Sequence, residues 1–164
     1  YVEDIIRKEE PFSEWQIRNI HQLILKNIDD DNAGRYRQQN VLISGATSTP
    51  PDYTLLNDKM AQLVDWYSND AHKFHPIERA AKVHADFVGI HPFIDGNGRT
   101  SRLLMNLELL KAGYPPCVIT VENRLAYYEA LDQWMAYGKT EAFIQLVSEA
   151  VLEGFKPYQV VLGI

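Results

Sequence analysis

The sequence predicts an all-α fold of roughly six helices with one β-hairpin, and three observations predict it. Apolar residues recur at helical spacing through most of the chain. Capping and breaking residues stand where those runs begin and end. Only residues 35 to 51 abandon the helical period for a short β-prone run closed by two prolines. With 164 residues and 46% hydrophobic content, the chain suits a single domain, residues 1–164, with a real core.

Taken in order, Ser13 and Gln16 form a capping-box pattern opening a helix through Ile20, Ile24 and Ile28. The polar run Asp29-Asp30-Asp31-Asn32 ends it and lacks the spacing and distal Glu of a calcium loop. Residues 35 to 51 read as a hairpin or extended loop whose unpaired edge is an ordinary surface feature or a rail for an extended partner. Leu55, Leu56, Met60, Leu63, Val64 and Tyr67 mark the next helix. Pro76 suits the first position of another, with Ala80, Val83, His84, Phe87 and Val88 on its apolar face. His84 reads as a core residue, and His72 and His75 as surface or structural ones, because no Cys or His cluster accompanies them. From Arg99 to Lys111, Leu103, Leu104, Leu107 and Leu110 form one stripe, stopped by Gly113 and Pro115. Asn123 caps a helix carrying Tyr127, Leu131 and Trp134. Thr140 caps a last one with Phe143, Ile144, Val147 and Val151, closed by Gly154.

Composition narrows the function. Net charge is −6, from 16 Lys+Arg against 22 Asp+Glu, which argues against a nucleic-acid surface. No apolar run is long enough to cross a membrane. A lone Cys117 forbids an internal disulfide and fits a reducing, cytoplasmic setting. No signal peptide is visible, and a start at Tyr1 rather than Met suggests a piece of a longer chain.

The chemistry concentrates in His91-Pro92-Phe93-Ile94-Asp95-Gly96-Asn97-Gly98-Arg99-Thr100-Ser101-Arg102. Gly96 and Gly98 relax the backbone twice in three positions, at the start of a helix whose free N–H groups and dipole favour an anion. Arg99 and Arg102, three residues apart, leave the first turn on one side with guanidinium forks suited to phosphate. Asp95 is a carboxylate beside that site, the kind of group that holds Mg²⁺ among phosphates. His91 is the one group in this run that titrates near neutral pH. A base, a metal ligand and an anion cradle describe phosphoryl or nucleotidyl transfer. Neither the Walker loop nor the kinase Gly-rich loop is present.

At all eight specified positions this run matches His-x-Phe-x-Asp/Glu-Gly-Asn-Gly-Arg-x-x-Arg, so the sequence resembles the Fic-domain family. Ala33-Gly34-Arg35-Tyr36-Arg37, Val41-Leu42-Ile43, Pro50-Pro51, Ala112-Gly113-Tyr114-Pro115-Pro116 and Tyr127-Tyr128-Glu129-Ala130-Leu131 extend the resemblance. It implies the Fic fold, a six-helix core with a hairpin flap beside the active-site loop. It also implies AMPylation, a post-translational modification in which AMP passes from ATP to a Ser, Thr or Tyr hydroxyl of a target protein. Under that resemblance His91 is the general base and Asp95 the Mg²⁺ ligand. Gly96, Asn97, Gly98, Arg99, Thr100, Ser101 and Arg102 form the phosphate site, with Asn97 adding a side-chain donor and Phe93 anchoring the loop in the core. Tyr127, Tyr128, Val41, Leu42, Ile43 and Ser44 line the nucleoside pocket, and the target docks on the flap around residues 37–50.

Many Fic proteins restrain themselves with a Ser/Thr-x-x-x-Glu-Gly/Asn helix. Ser148 to Gly154 approaches that motif but sets its Glu five residues on, so restraint is expected from upstream of Tyr1, from an antitoxin-like partner in trans, or not at all. Met135 stands near the place where some relatives carry Asn close to the ribose. Rival readings are another nucleotide or phosphate-containing donor, removal of AMP at the same site, and a non-catalytic nucleotide- or protein-binding module.

Overall fold

A computed structural model describes residues 11–163, which form six α-helices and no strand among the described residues. The helices are α1 (Glu14–Leu25), α2 (Leu56–Asn69), α3 (Pro76–Ile90), α4 (Asn97–Lys111), α5 (Arg124–Tyr137) and α6 (Glu141–Leu162). None is long and apolar enough to cross a membrane.

Helices α3 and α4 are the spine. Toward one side Met60, Val83, Phe87, Phe93, Leu104 and Leu107 pack with Ile17 and Ile20 of α1. Toward the other, Ala80, Ala85, Val88, Met105 and Leu109 pack with Leu131, Trp134, Phe143 and Val147 of α5 and α6. Two cores on opposite faces explain why α4 departs from the single stripe its leucines predict. Leu104 and Leu107 are buried with Met105 and Leu109, while Leu110 is exposed. Because α3 and α4 are held on both faces, the segment joining them, His91 to Gly96, rests on a rigid base. At the far end of α4 the buried carboxylate of Glu108 accepts from Tyr67 Oη at 2.8 Å and Arg79 Nε at 3.0 Å, tying α2 and α3 to it.

The helix starts follow their sequences. Ser13 Oγ accepts from Gln16 N at 3.2 Å. Pro76 opens α3, where His75 Nδ1 accepts from Ile77 N at 3.3 Å and the Glu78 side chain reaches back to His75 N. Asn123 and Thr140 occupy N-cap positions without a side-chain bond. Helix α1 stops at Leu25 rather than running through Ile28, since Asp30 Oδ1 takes the Asn27 N–H at 2.9 Å and turns the chain. The last helix passes through Gly154 and ends at Gly163 in the left-handed conformation. Gly154 is a contact glycine: an added Cβ would meet Pro115 Cβ and Cγ at 3.2 Å.

The expected hairpin flap is absent: residues 35–51 form an irregular loop. A hairpin needs its two arms to bond each other, and here the return arm bonds elsewhere, because Asp132 Oδ1 on α5 takes the Thr47 N–H at 2.6 Å. Only the local turn Ala46 N to Ile43 O, at 3.1 Å, remains. Instead of a ladder, the buried side chain of Arg37 organises the segment. Its Nε donates to His91 O at 2.9 Å, Nη1 to Gln39 O at 2.8 Å and Nη2 to Pro51 O at 2.6 Å. A guanidinium satisfied by three carbonyls holds both ends of the loop against the motif.

Candidate active site

The turn between α3 and α4 lies at the floor of a cleft of about 550 Å³, roofed by Leu42 to Ala46 and walled by α5. His91 closes α3 in the left-handed region, φ 50° and ψ 57°, with its N–H on Phe87 O at 3.0 Å. A histidine there is strained and is held by what surrounds it. Its carbonyl takes the Arg37 bond, and Arg37 N donates to Pro92 O at 2.9 Å. The His91 ring sits 3.2 Å from Val88 O through Nδ1. A carbonyl only accepts, so Nδ1 carries the proton and Nε2 keeps its lone pair. Burial lowers the imidazole pKa, the Val88 carbonyl opposes the shift, and the Arg37 charge adds to it. Burial thus favours the neutral ring, and the Val88 bond leaves the lone pair on Nε2.

Phe93 plugs the turn into the core with no exposed surface, a burial worth about 1.5–3 kcal/mol. Asn97 fastens it there: Phe93 N donates to Asn97 Oδ1 at 2.9 Å, and Asn97 Nδ2 donates to Phe93 O at 2.8 Å. This corrects the expectation that Asn97 offers its side chain to an anion, since the amide is turned inward as the splint of the loop. Thr100 and Ser101 are likewise fully buried, and Ser101 Oγ donates to Gly98 O at 3.0 Å. Neither lines the cleft, because positions 100 and 101 fall on the core face of α4.

What remains at the cleft is the helix start itself. Thr100 N makes the first bond of α4, to Gly96 O at 2.9 Å, which leaves the N–H groups of Asn97, Gly98 and Arg99 without intrahelical carbonyls. The Gly96 N–H is taken by Asp95 Oδ1 at 2.6 Å, and Asp95 Oδ2 pairs with Arg99 Nη2 at 2.8 Å. Both side chains are largely exposed, so this pair is weak and easily opened. Arg102 also lines the cleft and has no carboxylate partner among the described residues. Of the paired tyrosines, Tyr127 is buried with its hydroxyl 2.9 Å from His84 Nε2, whereas Tyr128 is half exposed. Both border the cleft. Leu42, Ile43 and Ser44 line it and Val41 does not.

Sequence reasoning missed four features. Arg37 is one, and Asp132, which pins the roof and lines the cleft, is a second. Val88, Ile94 and Leu131 supply the apolar walls, beside Met135, which the sequence already places near the ribose. The fourth is His21 of α1, a buried ring that accepts from Gly34 N at Nδ1, 2.9 Å, and lies 2.9 Å from Asp95 O through Nε2.

No group of three or more His, Cys, Asp or Glu gathers around a point among the described residues. The donor chemistry still suits one hard cation. Asp95 presents a single exposed carboxylate at the cleft, and Mg²⁺ characteristically takes one or two carboxylates with phosphate oxygens and waters completing its shell.

Comparison with known proteins gives a consistent result. A family model described as Fic/DOC family matches residues 11–109. The chain is 42% identical over 145 residues to "Protein adenylyltransferase Fic" of Nematostella vectensis, an alignment covering 88% of this chain and 33% of that protein. A solved structure of Fic-1 (aa134 - 508) from C. elegans superimposes with a TM-score of 0.85 at 31% identity, covering 99% of this chain and 49% of that one. A Fic domain containing signaling protein from Bacteroides thetaiotaomicron superimposes with a TM-score of 0.83 at 30% identity, covering 93% and 64%. The chain thus spans about a third of the sea-anemone relative's length.

Proposed function

Since the chain belongs to the Fic/DOC family, we propose that it is a protein adenylyltransferase, moving AMP from ATP to a Ser, Thr or Tyr hydroxyl of a target protein and releasing pyrophosphate. The observation that carries this reading is the His91 ring. Its Nδ1 is fixed on Val88 O, and it shares one cleft with the open N–H row of α4 and two arginines.

In this scheme the phosphates lie along the N–H groups of Asn97, Gly98 and Arg99, where backbone dipoles answer the charge that builds up during transfer. Arg99 leaves its exposed pair with Asp95 for the β/γ end, and Arg102 holds the γ-phosphate. That exchange frees the Asp95 carboxylate for Mg²⁺, which would neutralise phosphate charge when bound. The target hydroxyl gives its proton to His91 Nε2 as its oxygen attacks the α-phosphorus. The bond to the bridging oxygen breaks, and pyrophosphate departs toward Arg99 and Arg102. The exposed ring of Tyr128, with Leu42, Ile43 and Ser44, provides the nucleoside pocket; Tyr127 supports it from the core. The target lies against residues 37–50, a loop with unpaired backbone groups. A carboxylate from an upstream segment or a separate antitoxin-like chain would silence the site by pairing with Arg102.

His91→Ala tests this. A positioned base is worth about 10²- to 10⁴-fold, so AMP transfer should fall by that factor while ATP affinity measured by calorimetry stays near wild type. Transfer persisting at the wild-type rate would contradict the role given to His91.

A further inference from the structure

We propose that His21 is a positioning residue for this site: its ring braces Asp95 against the start of the 35–51 loop without touching nucleotide or metal. The inference rests on the adenylyltransferase reading for its catalytic consequence, and on geometry alone for the brace. His21 is fully buried on α1. It lies flat on Phe93, with ring centroids 3.5 Å apart and planes 5° from parallel. A backbone N–H only donates, so the 2.9 Å bond from Gly34 N fixes Nδ1 as acceptor. The proton is then on Nε2, which donates to Asp95 O at 2.9 Å.

One imidazole thus joins three parts of the site. Through Gly34 it holds the chain where the roof loop begins. Through Phe93 it presses on the plug of the motif turn. Through the Asp95 carbonyl it sets the Asp95–Gly96 peptide, and with it the direction in which the Asp95 carboxylate leaves the backbone. Gly96 fits only because it lacks a side chain: its φ is +79° and an added Cβ would sit 3.0 Å from His21 Nε2. Arg37 grips the same turn from its other end, at His91 O and Pro92 O. The catalytic base and the metal-grade carboxylate are therefore positioned by two residues that lie outside the motif. Partners of this kind behind a metal ligand typically matter by about 10- to 100-fold in metal affinity or activity.

Two variants of the full chain separate the brace from mere core filling. His21→Asn keeps an acceptor near Nδ1 for Gly34 but cannot reach Asp95. His21→Gln carries a donor to the Nε2 position for Asp95 but gives up the Gly34 bond. Both are compared with wild type below their melting temperatures. In ¹⁵N-resolved NMR of the nucleotide-free chain, the Asn variant should move the Gly96 amide and spare Gly34. The Gln variant should do the reverse. The Asn variant should also raise the Mg²⁺ concentration needed for half-maximal transfer by about tenfold or more, with Gln restoring most of the loss. Both amides moving alike in both variants, or equal Mg²⁺ requirements in Asn, Gln and wild type, would overturn the proposal. Should wild type transfer no AMP, the adenylyltransferase reading falls by itself, and the amide pattern still decides the brace.

Discussion

Replacing Asn97 by alanine should damage the fold before it damages anion binding. The side chain bonds both the N–H and the C=O of buried Phe93, at 2.9 and 2.8 Å. Removing it strands two backbone polar groups in the core, each costing about 1–3 kcal/mol. The adjoining cleft can admit water to one of them, which sets the expected loss at about 2–4 kcal/mol. For a domain of this size that is a fall of about 5–15 °C in melting temperature. Asn97→Asp should do worse, placing an anionic oxygen opposite Phe93 O. Thermal and urea unfolding of the purified chain measure the loss, and calorimetry with ATP below the transition measures what the site retains. A melting temperature within about 2 °C of wild type, together with weakened ATP binding, would refute this. It would mean that Asn97 faces the phosphates.

Three further outcomes follow from the geometry. Burial holds the His91 pKa below its ordinary 6.5, so the acid limb of the pH profile of kcat/KM should have its midpoint under that value. A midpoint above 7 would contradict an electrostatically depressed base. Burial also pushes His84 down to about 3 from 6.5; the unfolded chain binds that proton first, so stability is complete above pH 6.5 and declines as pH falls toward 3. The slope is at most about 1.4 kcal/mol per pH unit. Urea unfolding of His84→Phe between pH 6.5 and 5 should show a flatter dependence than wild type, and parallel curves would contradict this assignment. Gly154→Ala should destabilise by about 1 kcal/mol or more although alanine is the better helix former, because its Cβ would press on Pro115 at 3.2 Å. A higher melting temperature would show that the α6 contact yields.

Much of this architecture is legible in the sequence, for identifiable reasons. The helices containing Ile17, Phe87 and Phe143 announce themselves by period, and Pro76 marks its own start, since these signals are local. The motif run is legible because its residue types are rare together. Where reading fails, distant parts of the chain decide. Val41 to Ile43 have strand-forming side chains, yet a strand needs a partner, and Asp132 on α5 takes the return arm's N–H. Gly154 looks like a helix stop until Pro115 is seen against it. Thr100, Ser101 and the Asn97 amide belong to a phosphate motif by position, but the rotation of α4 turns them inward. His21 falls on the apolar stripe with Ile17 and Ile20, the one local hint of a buried imidazole, and nothing near it in sequence points to Asp95. Arg37 gives no local signal of burial, because its partners are carbonyls at His91, Gln39 and Pro51.

The most direct measurement incubates the chain and Mg²⁺ with ATP labelled at the α-phosphate and, separately, at the γ-phosphate, in the presence of cell extract. Protein-bound label should come from the α position alone, should require His91, and should resolve by mass spectrometry to AMP on a hydroxyl side chain. Label arriving from the γ position, or none from either with ATP bound, would contradict adenylyl transfer at this site.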